Sequence, residues 1–184
     1  MKTESTFLYV LRLAGILFLI AAIVAVALAA VNNVTAPVIQ DLKNQKTQEA
    51  IEMVLPGGFN EEITDYVDES GLVTKVYKGD NGYALEVTPS GFDNTITMMV
   101  GVDFEGNILG ISIVSHTETA GLGAVAAATT SAGEAFRDQF VGMSGSVSVS
   151  KDGGEINAIT GATITSRAVC EGVNAALDCV AGLG

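Results

Sequence analysis

The chain has 184 residues, enough for one modest domain and an additional segment. It is 48% apolar yet carries a net charge of −12, from 9 basic and 21 acidic residues. Up to Val31 the charges are Lys2, Glu4 and Arg12, a net of +1, so the remainder carries −13. A domain this acidic, without a basic face, speaks against a nucleic-acid partner and against docking on anionic lipid. One histidine and two cysteines exclude zinc, haem or iron–sulfur ligation by this chain alone.

From Leu13 to Val31 run 19 residues without a charge. At about 1.5 Å per residue they make a helix of roughly 28 Å, close to the ~30 Å hydrocarbon core of a bilayer. One membrane span is expected, touching lipid through residues 13–31. A cleaved signal peptide is the alternative, since Ala27-Leu28-Ala29 has the small-x-small form of a cleavage site. The run exceeds the about 7–15 residues of a signal h-region, which favours the anchor. Lys2 and Arg12 before the span nearly balance Lys43 and Lys46 after it. The orientation expected is a single pass through the cell membrane, with a short tail inside and the domain on the extracytoplasmic side. Gly15 and the stretch Ala21 to Ala30 suit close helix packing and lipid contact equally.

Asn32 to Pro37 reads as a polar hinge, followed by a helix from about Val38 to Leu55 that Pro56-Gly57-Gly58 stops. Glu61, Glu62, Asp65, Asp68 and Glu69 lack the spacing of a calcium loop and read as a solvated face. Alternation predicts strands at Val73–Tyr77 and Tyr83–Val87, joined across Lys78 to Gly82. A second pair is predicted at Thr95–Val102 and Ile108–Val114, joined through Asp103 to Asn107. Next come a short helix at Glu134–Phe140, a last strand at Val147–Val149, a loop from Asn157 to Ser166, and a closing helix from about Ser166 to Val180. Cys170 and Cys179, nine residues apart, fall on opposite faces of that helix and read as buried small hydrophobes. The fold class is α+β: an N-terminal transmembrane helix, then an antiparallel sheet with helices packed on it.

Two loops could carry chemistry. Thr160-Gly161-Ala162-Thr163-Ile164-Thr165-Ser166 is dense in hydroxyls, and the plain reading makes Thr165 or Ser166 the cap of the last helix. The sharper reading is that a helix N-terminus offers unpaired N–H groups to a phosphate, with small Gly161 and Ala162 allowing approach and Thr163 offering a hydroxyl. The second loop is His116-Thr117-Glu118-Thr119-Ala120-Gly121-Leu122-Gly123. Its Gly-x-Gly does not open a βαβ unit, and His116 with Glu118 forms no catalytic set, so an ordinary loop is the plain reading.

Together, in this order and spacing, the two segments resemble the FMN-binding domain of the G subunit of the Rnf electron transport complex. That subunit is related to the C subunit of the sodium-translocating NADH:quinone reductase. The resemblance covers nearly the whole chain, including the N-terminal span, Gly82 to Val87 and the hairpin from Val100 to Gly106. It implies FMN joined through its phosphate to Thr163 by a dedicated flavinyltransferase. Thr160, Gly161, Ala162, Ile164 and Thr165 would surround the attachment, and Glu118, Thr119, Gly121, Leu122 and Gly123 would line the flavin ring. It further implies an electron carrier without stand-alone catalysis, working among the other membrane and redox subunits of an Rnf-type ferredoxin:NAD+ oxidoreductase complex. The division expected is 1–31 for tail and transmembrane helix, 32–58 for hinge and connecting helix, and 59–184 for the FMN-binding domain. Two positions depart from the family pattern: Asn157 stands where Asp is usual, and Ala120 where Pro is usual. A reductase of another kind with an FMN domain, and a non-redox anchored binding module, are the competing expectations.

Overall fold

The computed structural model describes residues 3–183, so Lys2 of the expected tail lies outside the described residues. The chain divides into two compact units, residues 1–45 and 46–184. The first unit consists of the helix α1, which spans Thr3–Val54 and so continues into the second. By length and composition it is apolar enough to cross a membrane, and none of its most apolar stretch is buried. The hinge expected at Asn32 to Pro37 is helical instead, with Pro37 inside α1. A proline removes one helical N–H and crowds the carbonyl four residues earlier. Just before it, the Thr35 hydroxyl donates to the Val31 carbonyl at 2.9 Å, a back-bond of the kind that bends a helix without breaking it.

The second unit is built on a five-stranded antiparallel sheet in the order β1-β2-β3-β4-β5. Its strands are β1 (Glu61–Ile63), β2 (Val73–Lys78), β3 (Gly82–Val87), β4 (Thr97–Asp103) and β5 (Ile108–Ser115). The four longer strands match the predicted pairs. Register is set by alternation: Leu85 opposes Val100 on one face, and Ala84 opposes Gly101 on the other. β1 was not expected. It takes Glu61 and Glu62 from the acidic cluster and pairs them with Lys78 and Tyr77, making a short, charged edge.

Both faces of the sheet are covered. On one, Val76, Leu85, Val87, Met98, Val100 and Val102 pack against the helix α3 (Thr163–Leu183). Val169, Val173, Ala176, Leu177 and Val180, the predicted stripe, are all buried there. Each such large side chain contributes roughly 1.5–3 kcal/mol, so the stripe is a main source of the domain's stability. On the other face the end of α1 and the residue after it bring Ala50, Ile51, Val54 and Leu55 onto Tyr77, Ala84 and Met99. Beside β5 lie a 3-10 turn at Gly123–Ala127 and the helix α2 (Ser131–Asp138), capped by Thr130, whose side chain accepts from the Gly133 N–H. Phe136 and Phe140 enter the main core from this side.

Two predicted boundaries are corrected. Val147–Val149 is not a strand of the sheet: Val149 alone pairs, in an isolated parallel bridge with Ile156. The side chain of Asn174 takes the Val147 N–H at 2.7 Å and donates to its carbonyl at 2.8 Å, so a side chain on α3 replaces the ladder. The closing helix begins at Thr163, not Ser166. Ser166 lies inside it, with its N–H and hydroxyl both donating to the Ala162 carbonyl, at 3.0 and 2.9 Å. The two cysteines are free and buried, as expected.

Candidate functional site

The two singled-out loops meet. β5 ends at Ser115, and the chain turns across residues 116–122 before the 3-10 turn. The turn is held by the Glu118 N–H on His116 Nδ1 at 3.2 Å and by the Leu122 N–H on the Thr119 carbonyl at 3.1 Å. His116 thus braces the loop. Glu118 is buried, 7% exposed, and its carboxylate collects three donors. Oε1 accepts from the N–H groups of Phe92 and Asp93, at 2.8 and 3.3 Å. Oε2 accepts a short hydrogen bond from the hydroxyl of Thr165, itself buried in the first turn of α3. One carboxylate therefore ties three segments distant in sequence to a single point.

Gly123 makes this possible, because a Cβ there would overlap both the Glu118 carboxylate and the Thr165 hydroxyl. Gly161, with φ near +77°, turns the chain immediately before α3. Ala162 then accepts the first helical bond, and the Thr163 hydroxyl stands at the helix N-terminus. The three N–H groups ahead of Ser166 in this helix have no partner within it, the arrangement that favours an anion.

Between the loops lies a cavity of about 280 Å³. The first loop lines it with Glu118, Thr119, Leu122 and Gly123, the second with Gly161, Ala162, Thr163, Ile164 and Thr165. Of the residues singled out in the sequence, Gly121 and Thr160 are not among those lining it. Two lining residues were not expected, Phe92 and Lys151. Phe92 stands on the excursion between β3 and β4, closed by the Ser90–Thr95 bridge. Lys151 stands in a short 3-10 helix, Ser150–Asp152. Its Nζ donates to Thr163 Oγ1 at 3.1 Å. A Gly-Phe-Asp turn and a lone lysine carry no pattern of their own, so only the fold brings them here.

Beside the cavity Asp152 and Arg167 form a two-pronged ion pair, both contacts 2.7 Å. The hydrogen bonds from Arg167 hold the Asp152 carboxyl below its ordinary range. Asn157 lies outside the cavity, paired with Gln139: both its backbone N–H and its Nδ2 donate to Gln139 Oε1, at 2.8 and 3.1 Å. The substitution of Asn for Asp thus falls on a surface brace between the second loop and the end of α2. Among the described residues no group of histidine, cysteine or carboxylate side chains could hold a metal ion.

A model of the FMN-binding domain matches residues 91–178, a span that begins at the Phe92 turn and ends near the close of α3. The chain is 33% identical to the G subunit of the Na(+)-translocating ferredoxin:NAD(+) oxidoreductase complex of Acetobacterium woodii, over 96% of this chain and 94% of that protein. The chain belongs to this G-subunit family. It is also 31% identical to the G subunit of the ion-translocating oxidoreductase complex of Methanosarcina acetivorans, over 88% of this chain and 89% of that protein. The corresponding G subunit of Stutzerimonas stutzeri is 33% identical over 87% of this chain and 76% of its own length. As a member of the G-subunit family the chain carries an FMN-binding domain, and the matched span contains every residue of the cavity.

The residues present fit that cofactor. A small-residue loop, a helix N-terminus and a lysine suit its phosphate. Apolar Phe92, Leu122 and Ile164, all exposed at the mouth, suit the flat faces of its ring.

Proposed function

We propose that this chain is the membrane-anchored electron carrier of an Rnf-type ion-translocating ferredoxin:NAD+ oxidoreductase complex, holding FMN by a phosphoester to Thr163. The observation that carries the reading is the meeting of the Glu118 to Gly123 and Thr160 to Thr165 segments around one cavity, with the Thr163 hydroxyl in its wall. Bound FMN supplies one- and two-electron chemistry. The chain's residues bind and orient. Glu118 fixes the Phe92 turn and the first turn of α3 against each other. Thr119, Leu122, Gly123, Ile164 and Thr165 bound the ring, Gly121 shapes the turn of the first loop, and Thr160, Gly161 and Ala162 clear the approach to Thr163.

Attachment requires an activated flavin nucleotide, because ester formation from a free phosphomonoester and a hydroxyl runs uphill in water. Thr163 Oγ1 forms a new bond to the phosphorus of the flavin half, the anhydride P–O bond of a flavin dinucleotide donor breaks, and the other half leaves as a nucleoside monophosphate. The hydroxyl proton passes to the flavinyltransferase. The residues α1 contributes at 13–31 act as the lipid-facing anchor, with residues 32–58 connecting it to the flavin domain of 59–184 on the extracytoplasmic side. The anchor also docks beside the other membrane subunits.

The test is the intact mass of the denatured full chain made with its flavinyltransferase, alongside in-gel flavin fluorescence. The expected result is a mass excess of one FMN less one water on the wild type, absent from Thr163→Ala. A wild-type chain without flavin in the presence of the transferase would refute the reading.

A further inference from the structure

We infer that Lys151 is a positioning residue for the covalent attachment: it holds the Thr163 hydroxyl in place before the phosphoester forms and neutralises the phosphate afterwards. The inference rests on the proposed phosphoester to Thr163. Its ground is the contact of Lys151 Nζ with Thr163 Oγ1, at 3.1 Å, at the wall of the cavity.

Three further observations support it. Among the described residues Lys151 is the only basic side chain lining the cavity. The chain after Val31 carries a net charge of −13, and its other cations near this end of the sheet are engaged elsewhere. Arg137 donates to the Ala126 and Ala128 carbonyls, at 2.7 and 3.0 Å, and Arg167 is paired with Asp152. A phosphate arriving in the cavity would share it with Glu118 and meet Lys151 as the one lining cation among the described residues, the Asp152 charge being matched by Arg167. The local field therefore depends on Lys151 far more than it would in a basic protein.

The segment carrying Lys151 is also held in place. Asp152 grips Arg167, which lies one helical turn beyond Thr163 on α3. On the other side, the Ser150 N–H donates to the Ile156 carbonyl at 2.8 Å and the Asp152 N–H to the Val149 carbonyl at 2.8 Å. The turn closes on Gly153 in the left-handed conformation. The lysine side chain is long and exposed, but its base is fixed relative to the helix that bears its target. An ammonium donor on the hydroxyl oxygen eases loss of the hydroxyl proton as the P–O bond forms. The same ammonium lies within reach of the single negative charge a phosphodiester keeps.

The test uses the full-length chain in detergent, the flavinyltransferase and a flavin dinucleotide donor, with loading followed over time by intact mass. Lys151→Met keeps the stem and removes the charge; Lys151→Arg keeps the charge. Loading of the Met variant is expected to be slower by about tenfold, the scale of one charge-assisted hydrogen bond at an exposed site. The Arg variant is expected to stay near the wild-type rate, and the melting temperatures of all three unloaded chains to agree. Added salt should narrow the gap between the wild type and the Met variant, a response that a merely structural role would not produce. Wild-type loading of the Met variant, or an Arg variant as slow as Met, would overturn the inference while leaving the tether to Thr163 intact. Absence of loading on the wild type itself would instead refute the phosphoester reading, and this inference with it.

Discussion

Glu118 is the point on which the site's geometry hangs, and its removal gives a magnitude that follows from the structure. Glu118→Ala deletes the acceptor for the Phe92 and Asp93 N–H groups and for the Thr165 hydroxyl. The two amides belong to an exposed turn and can rotate to water. Thr165, 1% exposed, cannot. An orphaned buried donor costs about 1–3 kcal/mol, and the void left by the carboxylate adds to that, so a loss of about 3 kcal/mol is expected. For a domain of this size that lowers the melting temperature by about 9 °C, at roughly 3 °C per kcal/mol. Glu118→Gln keeps the acceptor for the two amides, and the Thr165 hydroxyl can turn to accept from the new side-chain amide. It should therefore cost only about 1 kcal/mol. Near-ultraviolet circular dichroism of the unloaded full chain in detergent follows the melt without interference from flavin. Equal losses in the two variants would show that the hydrogen bonds to Oε1 and Oε2 do not hold the loops together, and the account of the site would fail.

Two further outcomes follow from buried and paired groups. Burial pushes the Cys170 thiol up to about 11 and raises Cys179 as well. Neither should react with iodoacetamide in the folded chain at pH 8.5, and both should after denaturation, as intact mass will show; labelling of the folded chain would refute the burial. The Asp152 carboxyl is held low by its hydrogen bonds to Arg167, so its stabilising effect is present above the unfolded value of ~3.9 and lost as pH falls through the folded value. Asp152→Asn should accordingly melt below the wild type at pH 6 and converge with it as the pH falls through the folded value; parallel curves throughout would refute the pairing.

The sheet was legible because its strands alternate. Val73 to Tyr77, Tyr83 to Val87 and Ile108 to Val114 each present an apolar set to the face that α3 covers, and the turns between them carry Gly, Asn and Asp. β1 was not, because three residues, two of them glutamates, show no period; pairing with β2 makes them a strand. Val147–Val149 failed the other way. Its composition is that of a strand, but Asn174 on α3 supplies the hydrogen bonds a neighbouring strand would have supplied. The sequence points to a start for α3 three residues late because Thr165 and Ser166 look like caps. Both hydroxyls instead serve tertiary contacts, one to Glu118 and one to the Ile159 N–H at 3.0 Å.

At the site the sequence showed the two loops but not what stands opposite them. Phe92 and Lys151 reach the cavity only because Glu118 pulls in one turn and the Asp152–Arg167 pair pins the other. That arrangement bears on why a bond to Thr163 would be needed at all. A protein that captures a free phosphate by charge surrounds it with several cations, whereas this cavity has one among the described residues, in a domain of strongly negative charge. Orientation, unlike capture, asks for little: a helix N-terminus, a small-residue approach and a single ammonium fixed relative to the hydroxyl. On the proposed reading the covalent bond does the holding and the surrounding residues are free to set the geometry. A Thr163→Ala chain should then not merely lose the ester but fail to retain FMN through gel filtration, since little else in the cavity would hold it. Retention of FMN by that variant at the wild-type level would show that the cavity binds the cofactor without the bond.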